Sequence, residues 1–393
     1  MAPCTQPLAI CSQSGETMTN RDISNKDMDG EGDGAETDEQ THSRRTLLAS
    51  MGAGATSLAL GGFTGTASAS GEESPAGEFI DSTSPATTAT SDGNWSDGAV
   101  WDRGKPTAGQ TVRIDSGVTI TVDTTTEKIK NLDVAGTLEF ATDTDSNLRA
   151  ETIVTRPDST MQIGTESNPM QQGSEARITI VHHEDISEKD DPNRISKGII
   201  TMGEFTVYGA EKTTWDELAT APAAGDKSIE LASAPTNWNE GDEIVIPGLD
   251  PSSNEDDERT IASVSGATVE LDEPLEYDHV PPENNLDVEL TAYALNRTRN
   301  VRFESAIKET DVTEEARINR QGHLMIMKPA QSISYLEVDH FGRTNKNFWM
   351  DEQDYSGNRV HGHGTEEPSE PNIIARYGLH FHKTGVGKEP HEV

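Results

Sequence analysis

Histidine is crowded toward the end of this chain, where its spacing could do chemistry: 7 of the 11 histidines lie beyond residue 320. His380 and His382 bracket a phenylalanine in Arg376-Tyr377-Gly378-Leu379-His380-Phe381-His382. Side chains alternate between the two sides of a strand, so Leu379 and Phe381 turn into a core and both histidines turn outward. Two imidazoles at i and i+2 can share one divalent cation, with carboxylates completing its shell. In Leu336-Glu337-Val338-Asp339 the same parity sends Glu337 and Asp339 outward, and His340 then falls on the inward side. His323 points outward if Leu324 and Ile326 are core. The intervals from His323 to His340, His361 and His380 are close to one coil of a solenoid, in which residues one coil apart stack.

Three chemistries stay open for this set. His380 and His382 could hold a divalent metal ion. Glu337 and Asp339 could cleave a glycosidic bond as an acid and base pair. A lyase would instead use a His or Arg base beside a uronate whose carboxylate is gripped by Arg343 or Arg376. The candidate catalytic residues are thus His380, His382, Glu337, Asp339 and Arg376, and the candidate substrate contacts Arg343, Tyr377, His323 and Asp242. Asp242 also has a plain structural reading: it follows Gly241 in a turn before a strand, where an Asp caps the backbone. Trp95 and Trp101 could stack on sugars, but so few aromatics more often anchor a core. His361 and His363 lie in the glycine-bearing stretch Val360–Gly364, either solvated or as a groove wall.

The elements that must position these groups are strands. From Trp95 onward, short runs alternate with period two between Gly, Asp and Asn turns, as in Val118–Val122, Leu132–Phe140, Ala176–Val181 and Glu243–Ile246. Helical periods are nearly missing. The fold class is all-β, and rung-like phrases ended by glycine turns favour a solenoid over a sandwich or barrel.

Upstream lies an export signal. Ser43-Arg44-Arg45-Thr46-Leu47-Leu48, a short apolar stretch and Ala67-Ser68-Ala69 read as a twin-arginine leader over 1–69, followed by a Ser/Thr/Gly linker over 70–92. No cysteine stands at the cleavage point, so a lipid anchor is not expected. Cys4 and Cys11 are the only cysteines, which leaves the exported part without disulfides. A net charge of −38 excludes nucleic acid as a partner and suits a saline medium, hence a halophilic archaeon. Asn94 and Asn296 open glycosylation sequons.

Trp95-Ser96-Asp97, Pro106-Thr107-Ala108-Gly109, Leu132–Leu138, Ile163–Pro169 and Ala176–Ile180 together resemble the G8 domain. The resemblance continues through Thr214–Leu218, Asn237–Ile244, Gly322–Met327, Tyr335–Arg343 and Arg376–His382. These look like the family of the cell-migration-inducing hyaluronan-binding protein, the transmembrane hyaluronidase and fibrocystin. The resemblance implies a G8 domain over 93–215, a β-rich connecting segment over 216–290 and coils over 291–393. It also implies a right-handed parallel, pectin-lyase-like β-helix that stops short at its C-terminus. An extracellular polysaccharide is the implied partner, a hyaluronan-like uronate glycan in particular. The rivals are a non-catalytic carbohydrate-binding or adhesion module and a gene fragment.

Overall fold

The computed structural model describes residues 84–187, 189–191, 194–249, 254–281, 290–307, 313, 320–345, 348–353, 359–361 and 372–382. The leader, the signal and most of the linker lie outside the described residues, as does His363. No described helix is long and apolar enough to cross a membrane.

Strands of alternating burial make successive coils that stack in parallel. The first four coils are β1 (Thr87–Ala89) with β2 (Gly93–Asn94), β3 (Thr111–Ile114) with β4 (Thr119–Val122), β5 (Ile129–Val134) with β6 (Thr137–Phe140), and β7 (Ser146–Thr155) with β8 (Thr160–Ile163). The next coil has three strands, β9 (Ala176–Ile180), β10 (Gly198–Thr201) and β11 (Glu204–Tyr208).

An inserted antiparallel unit then intervenes: β12 (Trp215–Glu217), β13 (Ser228–Glu230), β14 (Glu243–Ile246), β15 (Asp257–Ser265), β16 (Thr268–Leu271) and β17 (Tyr293–Asn296). Coiling resumes with β18 (Val301–Ser305), β19 (Leu324–Ile326), β20 (Ser332–Ser334) and β21 (Leu336–Asp339), passes the small hairpin β22 (Trp349–Gln353) and β23 (Arg359–His361), and reaches β24 (Leu379–Phe381).

The pairing between coils is parallel throughout. Because register is kept from coil to coil, apolar residues stack in columns. One column runs Val112, Leu132, Ile153, Ile199, Leu324 and Leu379. Another runs Ile120, Leu138, Met161 and Phe205. These columns belong to one core, against which Leu379 and Phe381 also pack. Trp95 and Trp101 meet edge to face at 5.0 Å inside it, as core anchors. Each coil thus meets the hydrogen-bonding needs of its neighbour while extending the same apolar interior.

The inserted strands close on themselves. Their order is β12-β17-β14-β15-β16-β13, and a bridge between Leu218 and Leu231 joins the two ends into a six-stranded barrel. It has its own core around Trp238, Ile244, Ile261 and Val269. At one end Asp257 is fully buried, 2.9 Å from His279 Nε2, paired with Arg259, and accepting the Glu276 and Tyr277 amides. Burial pushes the Asp257 carboxyl up, but the Glu276 amide, His279 and the other donors outweigh it and hold the group below the ordinary aspartate value.

The unfolded chain therefore binds more protons below about pH 4, and the stabilisation is present above that pH and lost as pH falls through the folded value. Asp257→Asn is expected to cost about 3–5 kcal/mol at neutral pH by stranding Arg259 and His279, and to flatten the acid limb of a pH-dependent urea unfolding series. An unchanged acid limb would refute this.

Asn296, one of the two sequons, is 1 % exposed and donates to Asp242, so the folded barrel withholds it from glycosylation. Asn94 remains exposed.

Candidate functional site

The distinctive feature of the stack is one corner. β7 turns from one face to the next without a break, its first half pairing with β9 and its second half with β10. In the next three coils the strands on the two sides of that corner are not continuous: β9, β18 and β21 end at Ile180, Ser305 and Asp339, and β10, β19 and β24 begin only at Gly198, Leu324 and Leu379. Long excursions from adjacent rungs of a rigid scaffold are where functional side chains collect.

Their described parts bind one another. Arg343 Nη2 donates to the carbonyls of Arg194 and Ser196, Arg376 Nε donates to the Arg194 carbonyl at 2.9 Å, and the Gly342 amide donates to the Gly322 carbonyl at 2.8 Å. Four non-glycine residues here hold left-handed backbone, with φ of 48° at Arg194, 59° at Lys197, 51° at His340 and 68° at Ala375. Such strain persists only where surrounding contacts over-determine it.

Lys197 anchors the corner from beneath. Its side chain is 1 % exposed, and its ammonium donates to Glu151 at 3.0 Å, to His182 Nδ1 at 3.1 Å and to the Glu184 carbonyl. Burial lowers the ammonium below the ordinary lysine value, with Glu151 opposing. His182 is held below the ordinary histidine value by burial and then by the Lys197 charge. Gly198 follows because nothing larger fits: a Cβ there would stand 2.3 Å from the His323 carbonyl and 2.6 Å from its Nδ1.

The sequence-derived set divides across this corner. On β24, His380 stacks on Tyr377 at 5.6 Å and lies 5.2 Å from His382, ring centre to ring centre, all three half-buried. His380 Nδ1 is 2.9 Å from the Ala375 carbonyl, which can only accept. Nδ1 therefore carries the proton and Nε2 is the basic nitrogen. Glu337 and Asp339 lie on the other face, on β21, side by side with Arg302, whose Nη2 is 3.1 Å from one carboxylate and 3.2 Å from the other. Burial raises the Glu337 carboxyl above its ordinary value against the pull of Arg302.

Four residues are placed differently from the expectation. His323 is fully buried rather than outward. Parity does set it on the outer side of its strand, but Lys197, Arg343 and Arg376 gather around it there, and Met325, of the same parity, is buried too. Its Nδ1 donates to the Lys197 carbonyl at 3.2 Å, while burial and then Arg343 and Arg376 hold it well below the ordinary histidine value. Arg343, 3 % exposed, is lowered to about 9 by burial and by Arg376. Arg343 and Arg376 both spend donors on backbone carbonyls, so they tie excursions together instead of facing solvent. Asp242 lies in the barrel, away from the histidines, and accepts from Lys212 at 2.6 Å, Asn296 at 2.8 Å and the Asn239 amide at 2.9 Å.

As for a metal, the imidazoles of His380 on β24 and of His382 just after it are near each other, but among the described residues no group of three or more His, Cys, Asp or Glu converges. A protein-held cation needs at least a third ligand, so the described residues do not fit one, and no step below uses it. Sequence reasoning missed Lys197, Glu151, His182 and Arg194. The one available signal was Glu151, a charge interrupting the buried second half of a long strand.

Residues 98–219 match the G8 domain. Human fibrocystin-L is 34 % identical over 193 residues, covering 47 % of this chain and 4 % of the relative. Canine fibrocystin is 26 % identical over 248 residues, 60 % of this chain and 6 % of the relative. A G8 domain-containing protein of Dictyostelium discoideum is 25 % identical over 218 residues, 53 % and 12 %. The chain thus spans a small fraction of the length of these relatives. Among solved structures, the Gp54 tailspike of an Acinetobacter baumannii bacteriophage, in complex with capsular saccharide, is 14 % identical with a TM-score of 0.22, covering 57 % of this chain and 29 % of that one.

Proposed function

We propose that this is an exported protein of a haloarchaeon, carried by the twin-arginine route and released without a lipid anchor, that binds and depolymerises a uronate-containing, hyaluronan-like polysaccharide. On this reading the stack is a right-handed parallel β-helix, the hand that strand-to-strand parallel crossovers overwhelmingly take. The observation that carries the reading is the Tyr377, His380, His382 group at the mouth of the corner, with His380 fixed by the Ala375 carbonyl so that Nε2 can act as a base. Glu337 and Asp339 are both engaged by Arg302, which favours elimination over a two-carboxylate hydrolysis. In elimination His380 Nε2 takes the proton beside the uronate carboxylate, a carbon–carbon double bond forms in that ring, and the glycosidic bond on the adjacent carbon breaks, its oxygen leaving as a hydroxyl of the departing sugar once protonated by solvent.

A second reading, glycan binding without cleavage, draws on one observation. Arg343 and Arg376, the cations expected to grip a uronate, are buried and engaged on backbone carbonyls. An assay in molar salt separates the two. The protein is incubated with hyaluronan and other uronate polymers, with and without chelator, and unsaturated ends are followed by ultraviolet absorbance and reducing ends by chemical titration. Unsaturated ends are expected, and their level is unchanged by chelator. Retained binding with no new ends of either kind would leave only the second reading.

A further inference from the structure

The barrel carries a surface that the corner does not explain. Trp95, Trp101 and Trp238 are 3 %, 4 % and 5 % exposed, whereas Trp215 is 56 % exposed and Tyr293 37 %. On the antiparallel pair β12 and β17, Trp215 faces Leu295 and Glu217 faces Tyr293, so the two aromatics are diagonal neighbours on the outer side. Their rings meet at 5.4 Å and 73°, forming a corner of two π surfaces. From Tyr293 the outward parity of β17 continues through Leu295 to Arg297, just past the strand's end, about 14 Å at about 3.4 Å per residue.

Arg297 is one of the residues lining a cavity of about 590 Å³. There it bridges Glu243 at 3.0 Å and Glu258 at 3.2 Å. One strand therefore joins an exposed aromatic corner to a cavity rimmed by hydrogen-bonding groups.

We infer that this outer face of β17 is a second glycan-binding surface, taking the apolar faces of neutral pyranose rings on Trp215 and Tyr293 and their hydroxyl groups at Arg297, Glu243 and Glu258. Sugar C–H bonds are weakly positive and match the negative faces of aromatic rings. Carboxylates accept hydroxyl protons, and a guanidinium donates to hydroxyl oxygens. Around this cavity Glu243, Glu258, Asp272, Glu273 and Glu276 outnumber Arg259 and Arg297, so the local rim turns away anionic sugars and selects neutral ones at this face. A convergence of apolar surface with a few placed polar groups is the ordinary make-up of a small-molecule site.

This surface does not rest on the reading of the corner, and its test keeps the two apart. The full chain is titrated calorimetrically in molar salt with a neutral β-1,3-glucan, a neutral galactomannan and hyaluronan. At least one neutral polymer is expected to bind. Trp215→Ala with Tyr293→Ala should weaken it about tenfold or more, Trp215→Phe with Tyr293→Phe should retain it, and His380→Ala should leave it unchanged. Near-ultraviolet dichroism from the buried Trp238 checks that the barrel is folded. Three results would each overturn the inference: no neutral polymer binds, the double alanine variant binds as well as the parent, or that variant loses hyaluronan binding instead. Sedimentation showing that the parent self-associates through this face, and the alanine variant does not, would also overturn it, since a second copy would then be the occupant.

Discussion

His380→Ala should lower the rate of product release from a uronate polymer by about 10²- to 10⁴-fold, the usual worth of a positioned acid or base, while polymer affinity changes little. The reason is local. The Ala375 carbonyl fixes which nitrogen of His380 carries its proton, and Tyr377 fixes the plane of the ring. Alanine removes the base and leaves the β24 pairing, which is a backbone matter, in place. Glu337→Gln is the discriminating partner. Under elimination it should retain the rate within about tenfold, because that carboxylate is occupied with Arg302. A Glu337→Gln loss as deep as that of His380→Ala would move the chemistry to the β21 face and to hydrolysis.

Lys197→Met should cost about 3–5 kcal/mol of stability in urea unfolding. The ammonium is the charge partner of Glu151, whose side chain is itself only 7 % exposed. Methionine fills the space but leaves that carboxylate in the interior without its cation, which is the costly way to break a buried pair. It also releases the His182 ring and the Glu184 carbonyl, and so the excursion that carries them. Adding Glu151→Leu to Lys197→Met should recover most of the loss, since an apolar pair can replace a buried ion pair at little cost. A single variant within 1 kcal/mol of the parent would show that Lys197 is not the anchor assigned to it.

Much of the stack was legible in the sequence because period-two alternation and glycine turns are local signals. Leu379 and Phe381 do face the core, and the outward histidines of β24 are neighbours. What parity cannot report is what covers an outward side chain. His323 is buried with the Lys197 carbonyl as partner and Arg343 with the Arg194 and Ser196 carbonyls, groups far away in the chain that meet only because successive coils put the same corner in register. The closure of the barrel was illegible for a similar reason. It depends on Leu218 meeting Leu231 after five intervening strand pairings, and nothing near either residue announces it. Nothing in the sequence sets Lys197 apart from any charge before a strand; only the fold reveals that it is buried against an equally buried glutamate.

The most direct test of the account is where a uronate polymer touches the chain. Protein with ¹³C-labelled histidine would be titrated with hyaluronan oligosaccharide in molar salt and the ring resonances followed by NMR. The account predicts shifts at His380 and His382, with His279, sealed in the barrel against Asp257, unmoved. Saturable binding that leaves His380 and His382 unshifted would contradict it.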